Sequence, residues 1–284
     1  MHILVIGGTR FFGIHTVKQL LAEGHNVTIA TRGSHGNPFG TKVSHILMDR
    51  TDEESVRTAL SDREFDAVID KVAYASNDVR SLLKHLHCRR YIQMSSCAVY
   101  PEAHLRISEK EFDPASHPLH WMDRPDDYAE GKRQAERAAL EFMDSNDCTF
   151  VRFPVVMGEH DYTERLQFYM EHICLEKPMF ADKPDVAASY IHEREAGDFL
   201  THLIDHPVSG AVNGCSRGGI SQGRIIFFIE QETGKRALLS DRGDPAPYNG
   251  FQTDVSYCCE KAEGTGYIFS GIESWIFGLL DQLM

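Results

Sequence analysis

Through the first half of the chain, short apolar runs alternate with stretches whose apolar residues recur every three or four positions. The runs His2–Ile6, Val27–Ala30, Ser44–Met48, Ala67–Ile69, Arg90–Met94 and Cys148–Phe153 predict strands. The stretches Ile14–Glu23, Glu53–Leu60 and Asp78–Leu86 predict helices between them. Strand, helix, strand, repeated, predicts an α/β fold: a doubly wound parallel sheet whose right-handed crossovers put helices on both faces.

The rhythm loosens after about residue 155. Pro178, Pro184, Pro207, Pro245 and Pro247 break the later elements, and Gly214–Gly223 is rich in turn residues. The predicted organisation is a dinucleotide-binding domain over 1–156, rejoined at about 190–213, with a smaller discontinuous lobe over 157–189 and 214–284. The segment Ile272–Leu283 predicts an amphipathic closing helix. No internal repeat or low-complexity tract is visible.

Charge narrows the partners. The 284 residues carry 42 acidic and 29 basic side chains, a formal net charge of −13. That field repels polyanions, and the basic pairs Arg89-Arg90 and Lys132-Arg133 are too short to override it, so neither nucleic acid nor an anionic membrane is expected as a partner. The apolar run at residue 3 leaves no room for a secretory leader, and no later stretch reaches the roughly 20 apolar residues of a spanning helix. A cytoplasmic protein is expected. Seven scattered cysteines with no C-x-x-C pair fit free thiols. Fifteen histidines show no H-E-x-x-H spacing, so no metal site is predicted.

Chemistry begins where the first strand ends. Gly7-Gly8-Thr9-Arg10-Phe11-Phe12-Gly13 runs from that strand into a helix. Small residues here let backbone N–H groups approach a pyrophosphate at a helix N-terminus. Gly7, Thr9, Arg10, Phe11, Phe12 and Gly13 are therefore the candidate cofactor turn, with Gly7 making the tight bend and Gly13 the close helix–strand packing. NAD-binding versions carry an acidic residue about 20 positions on, at the end of strand two. Here that strand ends Ile29-Ala30-Thr31-Arg32-Gly33. Arg32, aided by Arg10, is suited to a 2′-phosphate through charge-assisted hydrogen bonds, which predicts NADP in preference to NAD. Asp49, after strand three, is a candidate adenine contact.

Tyr128 and Lys132 stand four apart at the start of a helical pattern and so share a face. A free phenol titrates at about 10, and a nearby ammonium favours the phenolate. Bringing it near 7 takes about 4 kcal/mol, a demand placed here on Lys132 together with a bound cationic nicotinamide ring. The phenol would then exchange a proton with a substrate hydroxyl or carbonyl. Tyr257 and Lys261 share the spacing but lack the setting. The setting is Tyr91–Tyr100, a strand closing on Ser95-Ser96, and a hydroxyl at a strand's C-terminal end faces the ligand crevice of an open α/β sheet. Ser96 is the candidate for orienting the substrate oxygen.

These motifs in this order resemble the extended short-chain dehydrogenase/reductases, the NAD(P)-dependent epimerase/dehydratase family built on a Rossmann sheet. The resemblance rests on Gly7–Gly13, Ser95-Ser96 with Val99-Tyr100, Tyr128 with Lys132, Arg152–Val156 and Tyr190-Ile191-His192. It implies Ser96, Tyr128 and Lys132 as catalytic residues, Pro154 and Val155 beside the nicotinamide, a substrate bound by the second lobe, and a homodimer. There are departures. Arg10 replaces the middle glycine, as in an atypical branch. Asp70-Lys71-Val72 replaces the family's His-Leu-Ala, and Pro101 a glycine. Cys97-Ala98 stands where 4,6-dehydratases carry Asp-Glu, which argues against dehydration.

The expected function is NADP-linked hydride transfer at a secondary alcohol or ketone of a sugar-nucleotide-like or small polar substrate. The close alternative is an epimerase that retains its cofactor; the family's epimerases mostly keep NAD, so Arg32 favours net redox. A different class is a non-catalytic dinucleotide sensor or RNA-binding protein, since the Gly-Gly-Thr-Arg-Phe turn resembles that of chloroplast stem-loop RNA-binding proteins. Glu159, His160, Tyr162, Arg165 and Tyr248 are candidate substrate contacts.

Overall fold

In the computed structural model, which describes residues 1–284, the chain begins with β1 (His2–Ile6), α1 (Phe12–Ala22), β2 (Asn26–Thr31), β3 (Ser44–Leu47) and α2 (Glu53–Leu60). There follow β4 (Glu64–Asp70), α3 (Ser76–Leu83), β5 (His87–Ser96), α4 (Tyr128–Ala139) and β6 (Cys148–Phe153). Short elements come next: β7 (Val156–Met157), α5 (Arg165–Cys174), β8 (Pro178–Phe180), β9 (Ala187–Ala188) and β10 (Ile191–His192). Then α6 (Glu193–Asp205) leads to β11 (Gly210–Asn213), β12 (Ile220–Ser221) and α7 (Gln222–Thr233). The chain ends with β13 (Leu238–Leu239), β14 (Asp244–Pro245), α8 (Glu260–Glu263) and α9 (Ile276–Leu283). No helix is long and apolar enough to cross a membrane.

Seven strands form one parallel sheet in the order β11-β6-β5-β4-β1-β2-β3. Period-two alternation sends its side chains into two cores. Ile3 and Val5 join Val17 and Leu20 of α1 and Phe199 and Leu203 of α6 on one face. Leu4 and Ile6 join Val56 of α2, Leu82 of α3 and Ala135 of α4 on the other. A third core gathers Tyr169, Ile225, Ile229, Ile276 and Leu280 from α5, α7 and α9. This is the doubly wound α/β architecture the periodicity predicts. The closing helix is shorter than predicted: a single 3-10 turn at Ile272–Ser274 is set off from α9 by Trp275, whose φ of −134° and ψ of −28° are not helical.

The sheet order reverses between β1 and β4, so the crevice beyond their C-terminal ends is where an open sheet receives a ligand. Gly7 leaves β1 there and Lys71 leaves β4 there. Two buried ion pairs brace the neighbourhood. Arg50 grips Asp70 at 2.7 and 3.1 Å, and the Tyr91 hydroxyl donates to the same carboxylate at 2.8 Å. Burial pushes the Asp70 carboxyl up, but the Arg50 charge and the hydrogen bonds from Arg50, the Val72 N–H and Tyr91 together outweigh it and hold the group below its usual range. Behind β5, Arg152 binds Glu136 at 2.6 and 3.0 Å, and Ser95 donates to that glutamate.

Candidate active site

A cleft of about 920 Å³ opens at the switch point, within the ordinary size of a small-molecule site. Its walls include Gly7, Thr9, Arg10, Phe11 and Phe12 from the glycine turn, Arg32 and Asp49 from the ends of β2 and β3, Ser96 and Tyr128, and Pro154 and Val155. The structure thus brings together most of the residues singled out in the sequence. Gly13 and Lys132 lie behind the wall.

Gly13 is needed for packing. A Cβ there would lie 2.2 Å from Lys71 Nζ, 2.7 Å from the Gly7 carbonyl oxygen and 3.2 Å from Gly8 Cα. Gly7 has φ +85°, a region L-residues disfavour, and a Cβ on it would press Val72 at 3.0 Å. Phe11, the N-cap of α1, is held at φ 52° and ψ −141° without side-chain capping. Arg10 does not point free into the cleft. Its guanidinium stacks 3.8 Å from the Tyr162 ring centre, linking the turn to the loop after β7. Arg32 is exposed, and its charge helps hold the Asp49 carboxyl below its usual range, after the stronger pull of hydrogen bonds from the Thr51 hydroxyl and N–H. Asp49 Oδ1 accepts both bonds, at 2.7 and 3.0 Å.

Tyr128 opens α4 because Asp127 caps it, accepting from the Glu130 N–H at 3.1 Å. Gly131 brings the helix onto the loop after β4, where a Cβ would strike the Tyr74 carbonyl at 2.5 Å. Lys132 can therefore reach the Ala73 and Met94 carbonyls at 2.7 and 3.0 Å. It is fully buried, and desolvation lowers its pKa to about 8. Tyr128 lines the cleft at 42% exposure. Desolvation pushes that phenol up to about 12, against a lowering pull from the Ser96 hydroxyl. The chain's own groups do not carry the phenol toward 7, because burial outweighs every favourable neighbour; the sequence expectation asked for that lowering from Lys132 and a bound nicotinamide ring together. Ser96 Oγ accepts from the Ala98 N–H at 3.1 Å, which leaves its own proton for the cleft.

The Tyr257 and Lys261 pair is used elsewhere. Tyr257 stacks on Tyr100, and Lys261 donates to the Ser209 and Ala211 carbonyls. Of the predicted substrate contacts, Tyr162 and Arg165 line the cleft with Asp161 and Thr163. Glu159, His160 and Tyr248 do not, although the buried Tyr248 hydroxyl has no hydrogen-bond partner.

One wall residue carried no assigned role in the sequence reading. Lys71 is 6% exposed and donates only to the Gly7 and Arg10 carbonyls, at 3.2 and 3.3 Å, with the Phe12 ring centre 3.9 Å away. No carboxylate pairs with it, since Asp70 next door is engaged by Arg50. Desolvation lowers its pKa to about 7. The available signal was a lysine immediately after an apolar strand; that this strand lies beside β1 was needed to interpret it.

A model of the NAD dependent epimerase/dehydratase family matches residues 3–84 and 75–213. The chain is 33% identical, over 130 residues, to the chloroplast stem-loop binding protein of 41 kDa b of Arabidopsis thaliana, a match covering 40% of this chain and 34% of that one. It is 31% identical, over 147 residues, to a UDP-glucose 4-epimerase of Caenorhabditis elegans, covering 39% and 42%. The matches thus span well under half the length of either curated relative. The fold is similar to that of the Thermus thermophilus UDP-glucose 4-epimerase solved with NAD, at TM-score 0.74 and 18% identity over 100% of this chain and 99% of that one.

Proposed function

Since the chain belongs to the NAD dependent epimerase/dehydratase family, we propose that it is an enzyme that binds a nicotinamide dinucleotide, NADP by preference, in the switch-point cleft and transfers hydride at a secondary alcohol or ketone carbon of a sugar nucleotide. The observation that carries this reading is that one cleft is walled by the glycine turn and by Tyr128 and Ser96 alike.

The residues fit a dinucleotide. Gly7 and Gly13 keep the turn thin enough for a pyrophosphate to approach its backbone, and the uncompensated Lys71 ammonium behind the turn lacks an anion. Arg32 would bind a 2′-phosphate, Asp49 would face the adenine end, and Pro154 and Val155 would flank the nicotinamide. The dinucleotide supplies or accepts the hydride. With its phenol raised by burial, Tyr128 is protonated at neutral pH and poised to donate to a substrate carbonyl oxygen. The reverse direction requires phenolate, which Lys132 favours from beneath the ring. Ser96 donates to the same substrate oxygen and fixes its direction. Asp161, Tyr162, Thr163 and Arg165 form the substrate end, backed by the lobe of 157–189 and 214–284.

The match to a UDP-glucose 4-epimerase favours a second form of this chemistry, in which hydride returns to the opposite face of the sugar and no reduced cofactor leaves. A panel of UDP- and dTDP-sugars with NADP or NAD separates the two. Net NADPH formation supports redox, and inverted product without it supports epimerisation. If no sugar nucleotide reacts and the protein instead retards stem-loop RNA in a salt-sensitive way, the enzymatic reading fails.

A further inference from the structure

Outside the cleft, three segments far apart in sequence bring their side chains to one point. His15 comes from the first turns of α1, His160 from the loop after β7, and Glu193 from the first position of α6. Glu193 is 1% exposed. Both imidazoles crowd one of its oxygens: His160 Nδ1 lies 2.7 Å and His15 Nε2 3.4 Å from Oε1. The other oxygen, Oε2, is buried with no hydrogen-bond partner, and so is His15 Nε2. A carboxylate serving only to pair with two histidines would give one oxygen to each. A buried carboxylate oxygen and a buried imidazole nitrogen, both without hydrogen-bond partners in a protein that satisfies nearly all its buried polar groups, call for a ligand at this point.

The backbone is built to allow this approach. Gly197 stands one turn after Glu193 on α6, and a Cβ there would meet His15 Cβ at 2.6 Å and the Phe12 carbonyl at 2.8 Å. Gly158 does the same for the loop, where a Cβ would fall 2.3 Å from Glu193 Cδ. Two glycines thus draw three ligand-bearing segments together.

We propose that His15, His160 and Glu193 form a binding site for a divalent transition metal of the zinc class. Two imidazoles and a carboxylate suit such an ion, and a tetrahedral site with bonds of about 2.0–2.1 Å holds its donors about 3.3 Å apart. The His15–Glu193 separation already meets that spacing, and His160 needs only a small withdrawal. Glu193 is available as an anion: burial pushes its carboxyl up, but His15 and His160 outweigh that and hold it below its usual range. Glu159, half exposed and 3.5 Å from His160 Nδ1, is the adjoining carboxylate. The ion would tie α1 and α6 to the loop that carries Tyr162, the residue stacked on Arg10. This site does not depend on the catalytic reading.

The test is titration of the chelator-treated protein with Zn²⁺ by calorimetry and with Co²⁺ by visible absorption. One equivalent is expected, with four-coordinate Co²⁺ bands and no sulfur charge-transfer band. His15→Ala and His160→Ala should each weaken binding at least about tenfold, as loss of even an outer-shell partner does. His160 is half exposed, so its variant keeps the fold if Glu193→Gln does not. The cluster of Glu23, His25 and Asp205, whose two carboxylate residues are exposed, is the control, and Asp205→Asn should change nothing. Undiminished binding in both histidine variants would overturn the proposal. So would loss of binding in Asp205→Asn, a sulfur band marking the Cys215–Cys259 pair, or the absence of a stoichiometric equivalent.

Discussion

The Lys132 ammonium lies 5.8 Å from the centre of the Tyr128 ring, fixed there by the Ala73 and Met94 carbonyls. The lysine therefore acts on the ring as an oriented charge from below, and the phenol alone faces the cleft. Tyr128→Phe removes one oxygen and leaves that frame intact. Hydride transfer to a sugar-nucleotide substrate should fall by about 10²–10⁴-fold with dinucleotide affinity unchanged. Unaltered single-turnover rates would remove Tyr128 from the chemistry.

Lys71 makes dinucleotide binding pH-dependent. Its free pKa is about 7, and a pyrophosphate beside it raises that value. Below pH 7 the ammonium is charged with or without ligand, so affinity is level there. Above 7 the free protein has lost a proton that the complex must regain, so affinity falls about tenfold per pH unit until the bound-state value is passed. Fluorescence titration of NADH, which has no 2′-phosphate to titrate, from about pH 6 to about pH 9 should show this slope. Lys71→Met should flatten it.

The proposed 2′-phosphate contact makes Arg32 the residue that would separate the two dinucleotides. Arg32→Ala should weaken NADPH by about 1.5–3 kcal/mol, the worth of a hydrogen bond to a charged group, and leave NADH nearly unaffected. Equal losses for both ligands would move the 2′-phosphate contact elsewhere.

Gly13→Ala puts a methyl group between α1, the Gly7 carbonyl and Lys71. The lysine tip can yield, but the backbone of the turn cannot do so freely. Destabilisation of about 1–3 kcal/mol is expected in urea titration, with weaker dinucleotide binding.

Glu136→Gln leaves Arg152 as a buried charge without its counter-ion, since both side chains are fully buried. A cost of about 3–5 kcal/mol is expected, whereas replacing both residues by apolar ones should cost much less. Comparing the chemical denaturation of the single and double variants checks this.

Periodicity and punctuation made much of the fold legible. Strands β1 and β6 match their predicted bounds, and β4 and β5 run longer only because polar ends such as Glu64 and His87 pair in the sheet without an apolar signature. The glycine turn, the Tyr128–Lys132 spacing and the Ser96 strand end were legible for the same reason. Each is a local signal, written by backbone sterics or helix pitch over a few residues.

What the sequence alone determined, then, was the kind of elements, the layered α/β class and the motifs on single turns. Tertiary structure decided which residues meet across elements. Lys71 matters because β4 lies beside β1, and its proton affinity is set by burial that no neighbour in sequence reports. Burial likewise holds Tyr128 near 12, a desolvation that its spacing to Lys132 does not report. His15, His160 and Glu193 converge only because α1 crosses α6 at Gly197. Contact across the sheet depends on strand order and helix crossing, and desolvation depends on the whole surrounding mass; neither is a function of separation along the chain.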